Sequence, residues 1–206
     1  MMSREAVLGR IRAATGASTG LPALPPPLHL DDPVALFADR AGQVGVQIDV
    51  VASATGAADR AAEWCTGRGV TRAAVWSTPD VAPVVERLRG LGIEILAPGA
   101  PPDALAGADV GITGAEWGIA ETGTLVLPSS PDQPRLVSLL PPVHLAVLRA
   151  DRILSDLHAL FGRVDTLPSA LTCITGPSRS ADIGLVPVLG AHGPVEVKVL
   201  LIQVLS

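Results

Sequence analysis

Apolar and polar positions recur along this chain with two different periods. Val46, Ile48 and Val50 alternate with Gln47 and Asp49, and Val195, Val197 and Val199 alternate with Glu196 and Lys198. A period of two belongs to strands, so both stretches are predicted as strands, the second over 195–202. Val34, Phe37, Ala41 and Val44 recur at helical spacing behind Asp32 and Pro33, a cap and a first-turn proline. Val81, Val84, Val85 and Leu88 do the same behind Thr78-Pro79-Asp80, which reads as a helix start. Residues 55–66 are predicted helical, ending near Gly67 and Gly69. Ala73-Ala74-Val75-Trp76 and Ile93-Glu94-Ile95-Leu96 fit short buried strands. Strand and helix thus alternate, which implies right-handed crossovers and an α/β fold with a mainly parallel sheet flanked by helices. In such sheets ligands lie beyond the carboxyl ends of the strands, so the loops leaving strands carry the interest.

The second half extends the pattern. Ala108 to Gly114 reads as a strand entering a turn, 115–121 as a short helix and 124–127 as a strand. A strand over 143–148, a helix over 155–162 and a strand over 171–175 follow. At the other end, residues 3–14 read as a helix with Val7, Leu8 and Ile11 on one face. Residues 15–30 hold Gly16, Gly20, Pro22 and Pro25-Pro26-Pro27, which no regular element survives. The expected organisation is an N-terminal helix and Pro-rich arm over 1–30 and a single α/β domain over 31–206.

Composition narrows the class. A chain of 206 residues suits one domain and can bury roughly 70% of the surface its unfolded form exposes. Two cysteines, Cys65 and Cys173, make no disulfide framework and cannot fill the four thiolate positions of a typical iron–sulfur cluster. Both read as buried thiols in a reducing compartment. No window is apolar enough to span a membrane and the N-terminus lacks a secretory core, so the expected location is cytoplasmic. A net charge of −5 and the lack of a basic run argue against nucleic acid. Fourteen arginines beside one lysine, and no tyrosine, read as coding bias. Four scattered histidines without ligand spacing predict no metal site.

Three glycine-punctuated loops carry the candidate chemistry. In Gly118-Ile119-Ala120-Glu121-Thr122-Gly123-Thr124, Gly123 allows a tight turn or close approach to a ligand. Glu121 has two readings there, a base or acyl-accepting nucleophile at a crevice, or a carboxylate that holds the turn. Glu116 reads as solvated and Trp117 as core. In Gly176-Pro177-Ser178-Arg179-Ser180-Ala181-Asp182, hydroxyls and an arginine at a predicted helix start suit an anion. The plainer reading makes Ser178 or Ser180 a cap and pairs Arg179 with Asp182. No Walker loop, nucleophile elbow or dinucleotide fingerprint is present. In Gly190-Ala191-His192-Gly193-Pro194, His192 is a candidate acid, base or hydrogen-bond donor, or an exposed turn residue. His144, starting an apolar strand, reads as a satisfied buried residue. Arg135, Ser138 and Pro141-Pro142 are a fourth candidate segment of the same crevice. The candidate catalytic residues are therefore Glu121 and His192. Those for anion or substrate binding are Gly123, Thr124, Gly176, Ser178, Arg179, Ser180, Asp182 and Gly193.

Taken in order, Asp109-Val-Gly-Ile-Thr-Gly, Ile119-Ala-Glu-Thr-Gly-Thr, Leu139-Leu-Pro-Pro-Val-His, Gly176-Pro-Ser-Arg-Ser-Ala-Asp-Ile and Gly190-Ala-His-Gly-Pro resemble the LUD-domain family, in particular its lactate utilisation protein C type. The resemblance is strong over about 108–202 and weaker over 31–100. It implies a fold similar to that of the sugar-phosphate isomerases, CoA transferases and 5-formyltetrahydrofolate cyclo-ligases. It also implies a role in oxidising L-lactate to pyruvate with iron–sulfur partner proteins. The family supplies no defined catalytic residues. Because this chain lacks cluster ligands and a dinucleotide motif, it would be a non-redox component without a cofactor of its own, binding a small carboxylate or other anionic metabolite. Two alternatives stay open. One is a self-contained enzyme on an acyl, CoA-linked or phosphorylated metabolite with Glu121 as nucleophile or base; the other is a metabolite-binding scaffold without turnover.

Overall fold

The computed structural model describes residues 3–14, 26–164, 166, 168–181, 187–189 and 193–203. Helix α1 (Arg4–Ala14) precedes α2 (Pro33–Gln43), and β1 (Val46–Val51), α3 (Ala54–Gly67), β2 (Arg72–Val75), α4 (Ala82–Arg89) and β3 (Glu94–Leu96) follow as the alternation predicts. Asp32 caps α2 by accepting the Ala35 N–H, and Ser53 caps α3 by accepting the Gly56 N–H. None of the residues of α1 is buried; Val7 and Ile11, predicted on its apolar face, are exposed. Of the predicted arm, residues 15–25 lie outside the described residues, and 26–30 run extended into the Asp156 carboxylate, which accepts the Leu28 N–H.

After α5 (Pro102–Ala106) comes β4 (Val110–Gly114), then β5 (Trp117–Ile119), β6 (Thr124–Pro128), α6 (Leu136–Leu139) and β7 (Val143–Arg149). The last elements are β8 (Ile153–Leu154), α7 (Leu157–Phe161), β9 (Leu171–Ile174), β10 (Arg179–Ala181), β11 (Pro187–Leu189) and β12 (Glu196–Ile202). Six strands form a wholly parallel sheet in the order β1-β12-β7-β4-β2-β3, which bears out the predicted fold class. The chain crosses from β1 at one edge to β2 and then β3 at the other edge, and then reverses to β4. Right-handed crossovers therefore set α3 and α4 on one face and α5 and α6 on the other.

Two predicted elements are corrected. Residues 115–121 are not helical. The Ala115 N–H donates to Val147 O and the Glu116 N–H to Val126 O, so strand neighbours take the backbone groups a helix would use. Strand β5 then pairs antiparallel with β6, and the order β8-β5-β6-β9 makes a second, four-stranded sheet. The predicted strand over 171–175 joins that sheet, not the parallel one. Likewise no helix follows Gly176 among the described residues; Arg179–Ala181 is a strand opposite β11.

The main core gathers side chains from both faces of the parallel sheet, among them Phe37, Leu88, Ile112, Leu145 and Leu200. A satellite cluster of Ile119, Val126, Leu154 and Leu160 lies beneath the second sheet, with Trp117 packed on it as predicted. The lysine at 198 is nearly buried, and Asp49 accepts its Nζ at 2.8 Å and the Arg60 Nε at 2.7 Å. Gly42, in the last turn of α2, has nothing within 4 Å of where a Cβ would stand. Gly42→Ala is therefore expected to stabilise the domain by about 0.5–1 kcal/mol in urea unfolding, through helix propensity and a less flexible unfolded chain. A loss of stability would mean that side of α2 is covered.

Candidate functional site

The predicted loops do meet, but their glycines approach another part of the chain. The first loop is the turn between β5 and β6. Gly123 has φ +65°, and a Cβ there would stand 2.2 Å from the Ala41 nitrogen. Gly176 in the second loop has φ +87°, and its Cβ would stand 2.7 Å from the Val44 oxygen. Both glycines thus let the second sheet seat on the end of α2. Arg179 belongs to the same contact, where its Nη2 donates to Val44 O at 3.1 Å. With β10 in place of a helix, the helix end beside Arg179 among the described residues is the C-terminus of α2, whose carbonyls draw the guanidinium and not an anion. Glu121 is exposed, and its backbone N–H donates to Ser155 O.

Hydroxyls tie the loops together. Thr124 Oγ1 sits 2.6 Å from Thr122 Oγ1 and 2.7 Å from Thr175 Oγ1, which joins the first loop to the second. The Ser178 N–H donates to Pro194 O at 2.8 Å, which joins the second to the third. A Cβ on Gly193 would be 3.3 Å from that of Ser178. Ser180 pairs with Val188 along β10 and β11. Asp182 and His192 lie outside the described residues.

Behind these loops is a pocket of about 200 Å³, with Ser138, His144, Thr172, Thr175, Gly176, Ser178 and Gly193 among its walls. His144 is its buried base. It is the second residue of β7 and stands in register between Gly111 and Val197, fully buried. Its Nε2 lies 2.8 Å from Thr113 Oγ1, while Nδ1 has no hydrogen-bond partner among the described residues. The expectation of a satisfied histidine is thus corrected at one of its two nitrogens. Burial pushes its pKa down to about 4, so the ring is neutral at neutral pH. Whichever nitrogen carries the proton, a neutral imidazole has one unused donor or acceptor at Nδ1. Among the described residues, no lining side chain is charged at that pH. Ser138 brings the predicted fourth segment to this pocket, and its Oγ donates to Arg135 O at 3.0 Å. Cys173, expected to be buried, is exposed at the same pocket, because alternation along β9 turns it away from the core.

A second cleft lies at the carboxyl edge of the parallel sheet. The connection leaving β2 runs outward through α4 to β3, and the one leaving β4 runs back toward β7. Neighbouring strands whose connections diverge open a crevice between their carboxyl ends. Residues Trp76 to Asp80 after β2 and Gly114 to Glu116 after β4 line it, with Arg152 from the other side. Arg152 Nη1 is 2.7 Å from Asp80 Oδ2 and 3.8 Å from Glu116 Oε2, so Glu116 is a wall residue that is still partly solvated, its side chain 39% exposed, with a long contact to Arg152. The sequence reading missed this site. Its signal was positional, since Ser77-Thr78-Pro79-Asp80 leaves a buried strand at its carboxyl end. Among the described residues no group of histidines, cysteines and acids is placed to hold a metal ion. Nor, among them, is any helix long and apolar enough to cross a membrane.

Residues 102–202 match the LUD domain family. Over 103 residues the chain is 43% identical to lactate utilization protein C of Bacillus subtilis, which is 47% of this chain and 43% of that protein. It is 38% identical to lactate utilization protein C of Halalkalibacterium halodurans over 103 residues, 47% and 45% of the two chains. It is 40% identical to the uncharacterized protein YkgG of Escherichia coli over the same length and shares. The chain spans less than half the length of each of these curated relatives. The crystal structure of a DUF162 family protein from Deinococcus radiodurans superposes with a TM-score of 0.60 and 25% identity, covering 85% of this chain and 99% of that one. The likeness in fold therefore reaches into the β1–β3 half, beyond the matched segment. Every wall residue of the loop pocket lies inside 102–202, whereas Trp76 to Asp80 lie outside it. Over residues 102–202, just under half of its length, this chain thus matches the LUD domain family.

Proposed function

We propose that this chain is a non-redox subunit of a lactate-utilisation system, oxidising L-lactate to pyruvate with iron–sulfur partner proteins, and that its loop pocket binds a small carboxylate. One observation carries the reading. The described walls of the pocket lie wholly within residues 102–202, the segment that matches the LUD domain, and over 103 residues the chain is 38–43% identical to proteins named lactate utilization protein C. Lactate oxidation releases two electrons. The two cysteines of this chain fall on α3 and β9, one buried and one exposed, against the four thiolates a cluster takes. Electron carriers accordingly belong to the partners, and this subunit contributes recognition. Where the described lining carries no charged side chain, a carboxylate can remain ionised by accepting two or three neutral hydrogen bonds. The hydroxyls of Thr175 and Ser178 are the donors at hand, since that of Ser138 already donates to Arg135 O.

The test is reconstitution of lactate-dependent electron transfer from this chain and its candidate iron–sulfur partners. Leaving the chain out is expected to reduce the rate at least about tenfold, and an undiminished rate would overturn the proposal. With the chain present, Ser178→Ala is expected to raise the half-saturating lactate concentration about tenfold, the effect of one lost hydrogen bond to a charged group. An unchanged value would remove Ser178 from the site.

A further inference from the structure

We propose that the cleft between the carboxyl ends of β2 and β4 is a second ligand site, for a ring-bearing polyol of the nucleoside class without a phosphate. The cleft has two compartments that share Trp76, Thr78 and Pro79. The larger, about 460 Å³, is walled mainly by apolar groups, with Trp76, Pro79, Val85, Ile95 and Pro98 among them. That size and lining suit the body of a small organic ligand. At its rim Glu86 and Arg89 stand 3.7 Å apart and offset each other's charge. The smaller compartment, about 160 Å³, is polar and holds Asp80, Glu116, Gln133 and Arg152.

The polar end selects the ligand's head. Two carboxylates face one guanidinium, and Asp80 already holds Arg152 at 2.7 Å. The remaining negative charge repels phosphate and carboxylate groups. An ammonium would satisfy Glu116 but would face Arg152 and leave the donors of Gln133 unused. Hydroxyls both donate and accept, so they serve carboxylate, amide and guanidinium together. At the junction of the compartments, Thr78 Oγ1 is buried without a hydrogen-bond partner among the described residues. With His144 Nδ1, it is one of the two such side-chain atoms there, and each lines a different cavity. A buried hydroxyl left unpaired is costly, and a ligand spanning the junction would pair it.

The experiment titrates the full chain with adenosine, uridine and their 5′-monophosphates, read by saturation-transfer NMR and calorimetry. At least one nucleoside is expected to bind with a Kd below about 1 mM, and its monophosphate at least about tenfold more weakly. Thr78→Val should weaken the nucleoside at least about threefold while leaving the melting temperature unchanged or raised, since it removes an unpaired buried hydroxyl. Glu116→Gln should narrow the gap between nucleoside and monophosphate. The proposal is overturned if neither nucleoside binds at about 10 mM. It is equally overturned if the monophosphate binds as well as its nucleoside, or if both variants bind like the parent.

Discussion

Gly111→Ala is expected to destabilise the domain by about 3–5 kcal/mol, a large share of the roughly 5–15 kcal/mol that holds a domain folded. Gly111 lies on β4 beneath α6. A Cβ at this position would stand 1.8 Å from the Val137 oxygen, 3.0 Å from its carbonyl carbon and 3.1 Å from Pro141 Cγ. The first two neighbours are backbone, so no rotamer change relieves the clash. The short helix α6 must lift off the sheet, and with it the fully buried Val137 and the loop pocket's Ser138. Interiors are packed densely enough that such a shift spreads to neighbouring side chains. The comparison is with Gly42→Ala, where the same added methyl meets open space and a gain is expected. Urea unfolding of both variants decides the matter. A loss below about 1 kcal/mol in Gly111→Ala would show that α6 does not sit on β4 as described.

The contrast between these glycines shows what the sequence reveals and what it hides. The period-two runs at 46–50 and 195–199 are legible as strands because polar and β-branched residues alternate along them, and they prove to be neighbours, β1 and β12, although β12 is buried on both faces with Lys198 held by Asp49. The helix at 33–43 is legible because its cap, its proline and its apolar stripe agree. The segment 115–121 is not legible in this way. It is too short for periodicity, and Gly118 is there because Leu148, Phe37 and Ile153 crowd its Cα, a fact of tertiary packing. The loop glycines were correctly read as points of close approach, but a sequence does not say what approaches. The partner proves to be the end of α2, some eighty residues or more away in the chain for both Gly123 and Gly176. Arg179 shows the same limit, since Val44 is 135 residues distant. Conversely, Thr78-Pro79-Asp80 was read as a helix start alone, and the strand topology is what turns it into the wall of a cleft.

Function followed the same division. The ordered motifs were enough to identify the family, because their spacing survives in sequence. Several of their residues turn out to serve the fold. Asp109, which opens the first motif, accepts the Thr71 N–H at 2.8 Å, the Arg72 N–H at 2.9 Å and the Thr71 hydroxyl at 2.9 Å, and so fixes the start of β2. Those backbone N–H groups from Thr71 and Arg72, helped by the Thr71 hydroxyl and opposed by partial burial, hold its pKa below the usual carboxylate range. His144 is legible as a buried residue of an apolar strand, but the unpaired Nδ1 that makes it distinctive is a fact of tertiary packing.

His144 should therefore make stability depend on pH in a window the carboxylates do not share. The domain is expected to lose about 3 kcal/mol as the pH falls from 6.5 to 4. In the unfolded chain the imidazole takes up a proton below its ordinary pKa of 6.5, while burial holds the folded-state value down at about 4. Between these values the unfolded state binds the extra proton, so acid favours unfolding. Above the window both states are neutral, and below it both are protonated, so His144 adds no further slope. Asp49, Asp109, Asp151 and Asp156 have pKa values lowered from 3.8 in the fold. Their contribution is present above that value and is lost at lower pH, after most of the histidine effect has run its course. Urea unfolding at a series of pH values, with His144→Gln beside the parent, separates the two, because every other histidine is common to both proteins. Equal slopes between pH 6.5 and 4 in the two proteins would refute the assignment. The proposed ligand sharpens the test. A carboxylate held against Nδ1 favours the imidazolium, raises the folded-state pKa and should flatten the acid slope of the parent but not that of the variant.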